Sequence, residues 1–213
     1  MKKVFSIVLM SLSLLTAFTA CSNDDDDNTV VCILPPHDGQ LKFELDADSI
    51  PHSPHMNAYS QEAFEKNFCG KGWECLSVAV INNDGWSSRQ NLVGSLLGWG
   101  PTHYYIGSGG RATAFFYSDA HGYVNNGLFY CDTSWTYEPA SNTLRMGDGT
   151  AMQIVYVTTS ANDGFCYALS RWGKHANGTP VYVVSLFRMM TEGRLAEIRK
   201  RYSADWQTVE KQP

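Results

Sequence analysis

The fold is decided by the stretch that begins THYYIGSGGRATAFFYS (102–118) and ends VYVVSLFR (181–188). Short runs rich in Val, Ile, Thr, Tyr and Phe alternate there with clusters of Gly, Asn and Asp. In order, the runs are THYYI (102–106), RATAFFYS (111–118), LFYCD (128–132), SWTYE (134–138), TLRM (143–146), TAMQIVYVTT (150–159), FCYALSRW (165–172) and VYVVSLFR (181–188). This alternation is typical of consecutive antiparallel hairpins. It predicts a mostly-β fold, an antiparallel meander of about eight strands closed into a small barrel.

A short helix and one further strand precede this meander. Ser60 has the side chain of a helix N-cap, and Phe64 and Phe68 have helical spacing before Gly70 ends the pattern. The run WECLSVAVI (73–81) follows as the first long strand, because it is rich in strand-forming residues and ends at a turn.

A second amphipathic helix is predicted near the end of the chain. Thr191 is its expected N-cap, and Leu195, Ile198 and Tyr202 form an apolar stripe. We expect this stripe to pack on the wall of the barrel. The alternative is a docking helix for a partner, with the basic residues 199–201 as its contact.

Length and composition indicate a single folded domain. The chain has 213 residues, of which 44% are hydrophobic and 17% are charged, which is enough apolar material for one core. We assign this domain to residues 60–206. The net charge of −5 gives no field that favours nucleic acid, so we expect no nucleic-acid partner.

The N-terminus has the pattern of a secretory signal. Lys2 and Lys3 precede an apolar run (4–17), and small residues follow it up to Cys21. The sequence FTAC (18–21) resembles a bacterial lipobox, the site at which a signal peptidase cleaves before a cysteine that becomes lipidated. The resemblance implies a signal peptide that ends just before Cys21, and a lipid on Cys21 that anchors the protein in a membrane.

Residues 21–59 are predicted to form an acidic, Pro-containing tether. The run from Asp24 to Asp27 is a solvated, self-repelling segment, and it resembles the acidic signal that directs some Gram-negative lipoproteins to the cell surface. That resemblance implies an outer-membrane protein that faces the cell exterior. In addition, Asp48-Ser49-Ile50 resembles a bacterial O-glycosylation sequon, with Ser49 as the acceptor.

The domain resembles the lipocalin or calycin family over residues 60–206. In that family a tryptophan opens the first strand and closes one end of the barrel, and GKGW (70–73) has such a tryptophan. PTHYY (101–105) and the segment up to Trp206 are similar to small lipocalin-like lipoproteins of gut anaerobes. The resemblance implies a barrel with a helix at each end of the chain, and no activity.

The cysteines leave two alternatives open. Cys69 and Cys75 are close enough in sequence to form a disulfide between the helix end and the first strand. Reduced cysteines on strands are the simpler interpretation, because five cysteines remain after Cys21 and five cannot all pair.

Motifs for catalysis and metal binding fail in their context. GSGGRA (107–112) matches a phosphate-loop pattern, but a strand follows it where a helix N-terminus is needed. Ser108 lacks the preceding glycine of a nucleophile elbow. His52 and His55 lie among prolines, which forbid the helix that would align two imidazoles. We therefore expect no enzyme activity, no metal and no cofactor.

Two functions remain. The first is a lipid-anchored module that binds a small apolar ligand inside the barrel, since a barrel of about eight strands has an interior wide enough for one. The second is a structural or interaction subunit with a fully packed barrel, whose surface aromatics contact a protein or a glycan. A continuous cavity would favour the first function, and bulky side chains at most inward positions would favour the second.

Overall fold

A computed structural model describes five parts of the chain, residues 40–53, 59–93, 102–117, 127–159 and 163–203. Its elements, in chain order, are β1 (Glu44–Leu45), β2 (Pro51–His52), α1 (Gln61–Phe68), β3 (Lys71–Val80), β4 (His103–Ile106), β5 (Arg111–Tyr117), β6 (Leu128–Glu138), β7 (Thr143–Met146), β8 (Ala151–Thr159), β9 (Gly164–Lys174), β10 (Pro180–Met189) and α2 (Glu192–Arg201). The predictions made for the signal segment, Cys21 and the acidic run lie outside the described residues.

The eight strands β3 to β10 form one antiparallel sheet whose hydrogen bonds close in a ring. Each strand pairs with the next one along the chain, and β10 pairs with both β9 and β3. The prediction of a mostly-β antiparallel meander is therefore confirmed. The strand boundaries follow the predicted runs, because the Gly and Asn residues between them form the turns.

One predicted boundary is wrong. The runs 128–132 and 134–138 were expected as separate strands, but they form the single strand β6 of 11 residues. Thr133, the residue between them, is itself strand-forming, and no glycine or proline separates the two runs. The first half of β6 pairs with β5 and the second half pairs with β7.

The interior of the ring is identified by one cluster of buried side chains to which all eight strands contribute. Its strand members include Trp73, Cys75, Tyr104, Ile106, Ala112, Ala114, Trp135, Tyr137, Leu144, Met146, Met152, Ile154, Val157, Cys166, Ala168, Phe187 and Met189. Only the inside of a closed sheet can collect side chains from every strand. Phe64 and Phe68 of α1 join the same cluster, so α1 covers one end of the ring.

Both helices begin at the predicted caps. Ser60 Oγ accepts a hydrogen bond from the Ala63 N–H, and Thr191 Oγ1 accepts one from the Arg194 N–H. Neither of these helices, which are the two in the described parts of the chain, is long and apolar enough to cross a membrane.

Helix α2 packs on the outer face of the sheet, as its apolar stripe predicts. Ile198 is buried against Phe115 and Met190, and Leu195 and Tyr202 contact the same cluster. An ion pair adds to this contact at the first turn of the helix, where Arg194 Nη2 lies 2.6 Å from Glu74 Oε1. The described part of α2 is therefore held on the sheet by both apolar and charged contacts.

The segment 40–53, which the sequence pattern places in the tether, also packs on the outer face. Leu41 and Phe43 are buried against Leu169 and Val184. The Phe43 N–H donates to the Gly85 carbonyl at 2.9 Å, which fixes this segment beside the turn that follows β3. Within this segment, Glu44–Leu45 forms β1, which pairs with β2.

Candidate functional site

The half of the ring next to α1 is filled by aromatic side chains. The ring of Phe64 stacks on Tyr137 at 4.2 Å and lies 5.2 Å from Trp135. Phe68 lies 4.8 Å from Trp73, which occupies the start of β3 at this end. Close packing of this kind leaves little room for a ligand in this half.

Hydrogen bonds fix the orientation of these rings. Trp135 Nε1 donates to the Gly107 carbonyl at 2.8 Å, and the Tyr137 hydroxyl donates to Asn142 Oδ1 at 2.6 Å. The same Asn142 oxygen accepts the Tyr59 N–H at 2.7 Å, which ties the start of α1 to the sheet. These bonds pair the polar atoms of Trp135 and Tyr137, whereas the buried indole N–H of Trp73 has no hydrogen-bond partner among the described residues.

The opposite half of the ring contains a cavity of about 680 Å³. It lies at the ends of the strands that are remote from α1. The residues that line it are Cys75, Val78, Leu92, Val93, Thr102, Tyr104, Asp148, Gly149, Thr150, Ala151, Met152, Ser170, Arg171, Trp172, Val183, Ser185 and Phe187. The interior is thus packed at one end and hollow at the other.

The lining of the cavity changes in polarity with depth. Asp148 and Arg171 are exposed at the rim, and Trp172 beside them is 40% exposed. At the bottom, Tyr104 and Phe187 also border a second cavity of about 20 Å³, whose other lining residues are apolar apart from the indole N–H of Trp73 and the thiol of Cys166. Charged groups therefore stand at the entrance, and the deepest space is surrounded mainly by hydrocarbon.

Among the described residues that line both cavities, Tyr104 is the only tyrosine. Its hydrogen-bonding neighbours are Thr102 and Thr150. Burial raises the pKa of Tyr104 well above its usual value, and the negative charge of Asp148 adds to that increase. The phenol stays neutral at physiological pH and can both donate and accept a hydrogen bond.

Cys69 and Cys75 are separate thiols in the structure. Cys75 points into the cavity from β3, where burial raises its pKa to about 12. Cys69 lies half-buried at the end of α1, and burial raises its pKa as well. Burial therefore keeps both thiols protonated at neutral pH.

Ser49 lies exposed in the turn between β1 and β2, with a φ of 60°. Asp46 organises this turn, because its Oδ1 accepts the N–H groups of Asp48 and Ile50 at 2.9 Å each. His52 contacts the other oxygen of Asp46, so it is part of this turn. The proposed acceptor hydroxyl is accordingly presented on a fixed, accessible loop.

His103 is buried on the outer face, beneath α2. Its Nδ1 accepts the Cys75 N–H at 3.1 Å, and its ring meets Tyr202 edge-on at 6.1 Å. Burial lowers the pKa of His103 to about 4. His103 therefore has a structural role, because its ring accepts a backbone hydrogen bond and is buried beneath α2. Within the described parts of the chain, no three His, Cys, Asp or Glu side chains are placed to hold a metal ion.

A shallow cleft of about 410 Å³ lies on the outer face beside the turn between β4 and β5. Tyr105 and Asp132 line it, with Thr113 between them, and Thr113 Oγ1 donates to Asp132 Oδ1 at 3.0 Å. Arg111 stands at its edge, and Arg199 of α2 covers Tyr105 at 4.8 Å from the ring centre. The cleft combines an aromatic ring with polar groups of both charges.

Sequence reasoning did not identify the side chains that line the cavity. Of the aromatic residues on the strands, Tyr105, Phe115 and Tyr167 lie on the outer face. The aromatic residues that line the cavity are Tyr104, Trp172 and Phe187. Strand alternation alone gives two equivalent sets of side chains, and the sequence does not say which set points inward.

Comparisons with protein-family models, with curated proteins and with solved structures found no match to this chain. The functional proposal consequently rests on the residues and the geometry of the chain itself.

Proposed function

We propose that this protein is a cell-envelope lipoprotein whose closed sheet is a lipocalin-like barrel that binds one small, largely apolar molecule. The observation that carries the proposal is the cavity of about 680 Å³ inside the half of the ring remote from α1. Its volume lies in the range of about 300–1,000 Å³ that is typical of small-molecule sites. No group in this proposal performs catalysis.

The packed half of the ring supports this function. Five aromatic rings close the interior beside α1, among them Trp73 at the position that the lipocalin resemblance implies. A rigid floor of this kind keeps the cavity open without a ligand, because the surrounding strands cannot collapse into it. The alternative function requires a fully packed barrel, and only this half of the molecule is packed in that way.

The proposal is tested with the neutral fluorescent probe N-phenyl-1-naphthylamine, titrated into protein that starts at residue 22. Ser185 faces the cavity, and its neighbour Leu186 faces the outer surface. Ser185→Phe fills the site and should abolish saturable fluorescence enhancement. Leu186→Phe adds a phenyl ring on the outside and should leave the titration unchanged. Equal titration of both variants and the wild type would refute binding inside the ring.

The membrane attachment is proposed at Cys21. Bacterial lipid anchors of two or three acyl chains hold a protein far more firmly than one chain, which gives only marginal binding. Cys21→Ala should leave an unprocessed precursor without lipid. Incorporation of labelled palmitate at the wild-type level into that variant would rule out this site.

The proposed destination is the outer membrane, facing the cell exterior. Replacement of Asp24 to Asp27 by Ala should change the protein from protease-accessible on intact cells to protected. Unchanged accessibility would leave the acidic run as a plain linker. At the surface, Ser49 would be accessible for glycosylation, and Ser49→Ala should then lower the mass of the mature protein by a glycan.

A second candidate function is favoured by the outer cleft. Aromatic rings that adjoin carboxylate and guanidinium groups suit the contact of a glycan, since a ring packs against the apolar face of a sugar and charged groups bond its hydroxyls. Asp132→Asn and Arg111→Ala should abolish binding of soluble oligosaccharides in saturation-transfer NMR if this function holds. A cavity variant such as Ser185→Phe should leave that signal intact.

A further inference from the structure

The polar part of the cavity lining is rich in hydroxyl groups, which we call the hydroxyl belt. The belt consists of the five hydroxyl-bearing side chains in its lining, Thr102, Tyr104, Thr150, Ser170 and Ser185. Two of them, Tyr104 and Ser185, are 5% and 8% exposed. Hydroxyl groups donate and accept hydrogen bonds and carry no charge, so they match alcohol, carbonyl and ether groups of a ligand equally well.

The charged groups of the lining stand outside this belt. Asp148 and Arg171 are the charged side chains among the described lining residues, and both are exposed at the rim. An ionic group at the level of the belt would lose its hydration without gaining an opposite charge. That transfer is strongly unfavourable, in contrast to the transfer of a neutral polar group that is hydrogen-bonded on arrival.

Below the belt the surroundings are mainly apolar, and the indole N–H of Trp73 is a buried donor there without a hydrogen-bond partner in the described parts of the chain. The small cavity of about 20 Å³ is bordered by Ile106, Leu144 and Ile154 from the strands and by Phe68 from α1. Tyr104 and Met152 separate it from the main cavity, since they border both. Hydrocarbon that enters this end gains contacts on all sides and displaces no polar partner.

We infer from this order of polarity that the ligand is a neutral amphipathic molecule, bound with its apolar end towards α1 and with an alcohol or carbonyl group at the hydroxyl belt. The inference rests on the proposed function and makes it more specific, because the hydroxyl groups can bond a neutral polar group that a purely apolar ligand lacks. Fatty-acid-like anions and organic cations are discriminated against at the same position.

Three rigid probes that share the adamantane cage test the inference. These are 1-adamantanol, 1-adamantanecarboxylate and 1-adamantylammonium, each titrated by calorimetry into the lipid-free protein at neutral pH. We expect 1-adamantanol to bind about 10-fold or more tightly than either ion. Tyr104→Phe should weaken the binding of 1-adamantanol by about 3- to 10-fold, which corresponds to the loss of one hydrogen bond. The same variant should leave the affinity for the two ions unchanged. Tyr105→Phe, the same change on the outer face of β4, is the matched control.

The outcomes separate this inference from the proposed function. Equal affinity for the three probes, competing with N-phenyl-1-naphthylamine, would keep the binding cavity and overturn the role of the hydroxyl belt. Loss of affinity for the alcohol and for the ions alike in Tyr104→Phe would also overturn it, because that pattern indicates a change of shape. No binding of any of the three probes or of the naphthylamine at 1 mM would overturn both.

Discussion

Removal of the Ile198 side chain should destabilise the whole domain. Ile198 is 2% exposed, and it is enclosed by Phe115 at 1% and Met190 at 8% exposure. Ile198→Ala deletes a buried aliphatic group in the contact between α2 and the sheet, a change that costs about 2–5 kcal/mol in protein interiors. The higher helix propensity of alanine returns only a few tenths of a kcal/mol. We therefore expect a net loss of roughly 2–4 kcal/mol.

The loss is measured by urea and thermal unfolding of residues 22–213, followed by circular dichroism. For a domain of this size it corresponds to a decrease of roughly 5–15 °C in Tm. Lys200→Ala, on the exposed side of the same helix, is the matched control and should change stability by less than about 0.5 kcal/mol. Removal of α2 by truncation after Met190 should have a larger effect than Ile198→Ala.

An unchanged melting curve for Ile198→Ala would contradict the packing described for α2. It would mean that the helix is a docking segment, which the folded sheet does not need. In that case the truncated protein would melt as the full protein does and would lose only the binding of its partner.

Three further predictions follow from single residues. The pKa of His103 falls from 6.5 to about 4 on folding, so the unfolded chain binds the proton at a higher pH than the folded protein does. The free energy of unfolding should therefore decrease as the pH falls from 6.5 to 4, by up to roughly 3 kcal/mol. His103→Asn retains an acceptor for the backbone N–H and should flatten this pH dependence in unfolding titrations. Gly85→Ala places a methyl group 2.2 Å from the Phe43 carbonyl oxygen, whereas a Cβ at Gly149 meets nothing within 4 Å. Both glycines have a positive φ. Gly85→Ala should therefore lower Tm by several degrees more than Gly149→Ala. A thiol reagent should label the buried Cys166 only after unfolding, and labelling of Cys166 at the rate of an exposed thiol in native protein would contradict the structure.

The strands and both helix starts could be predicted because local chemistry decides them. Glycine and asparagine mark the turns of the meander, and Ser60 and Thr191 provide the side-chain oxygens that cap the helices. These signals act within a few residues of each other. A sequence therefore shows them without knowledge of the tertiary structure.

The inward face of the sheet could not be predicted, since it depends on irregularities in pairing. In β3 the extra residue Leu76 shifts the register against β10, so that Cys75 and Val78 both line the cavity although they are three positions apart. A strict alternation of two would place them on opposite faces. β8 has a similar shift at Val155. No local sequence pattern predicts either of these two bulges.

The packing of residues 40–53 was missed for a different reason. Leu41 and Phe43 are the apolar residues that anchor this segment, but prolines and charged residues follow them, which is also the composition of a flexible linker. Their partners Leu169 and Val184 lie more than a hundred residues away in the chain. Burial that depends on such distant partners is invisible to patterns of nearby residues.

The most direct test of the central claim is to identify the molecule that the cavity holds when the protein is extracted from cells. Untagged protein is extracted from membranes in detergent, denatured in organic solvent and analysed by mass spectrometry, beside Ser185→Phe and Leu186→Phe prepared in the same way. We predict one class of neutral amphipathic small molecule in wild type and in Leu186→Phe, strongly reduced in Ser185→Phe. Identical small-molecule profiles from all three proteins, together with equal titration by N-phenyl-1-naphthylamine, would contradict the claim that the hollow half of the ring is a binding site.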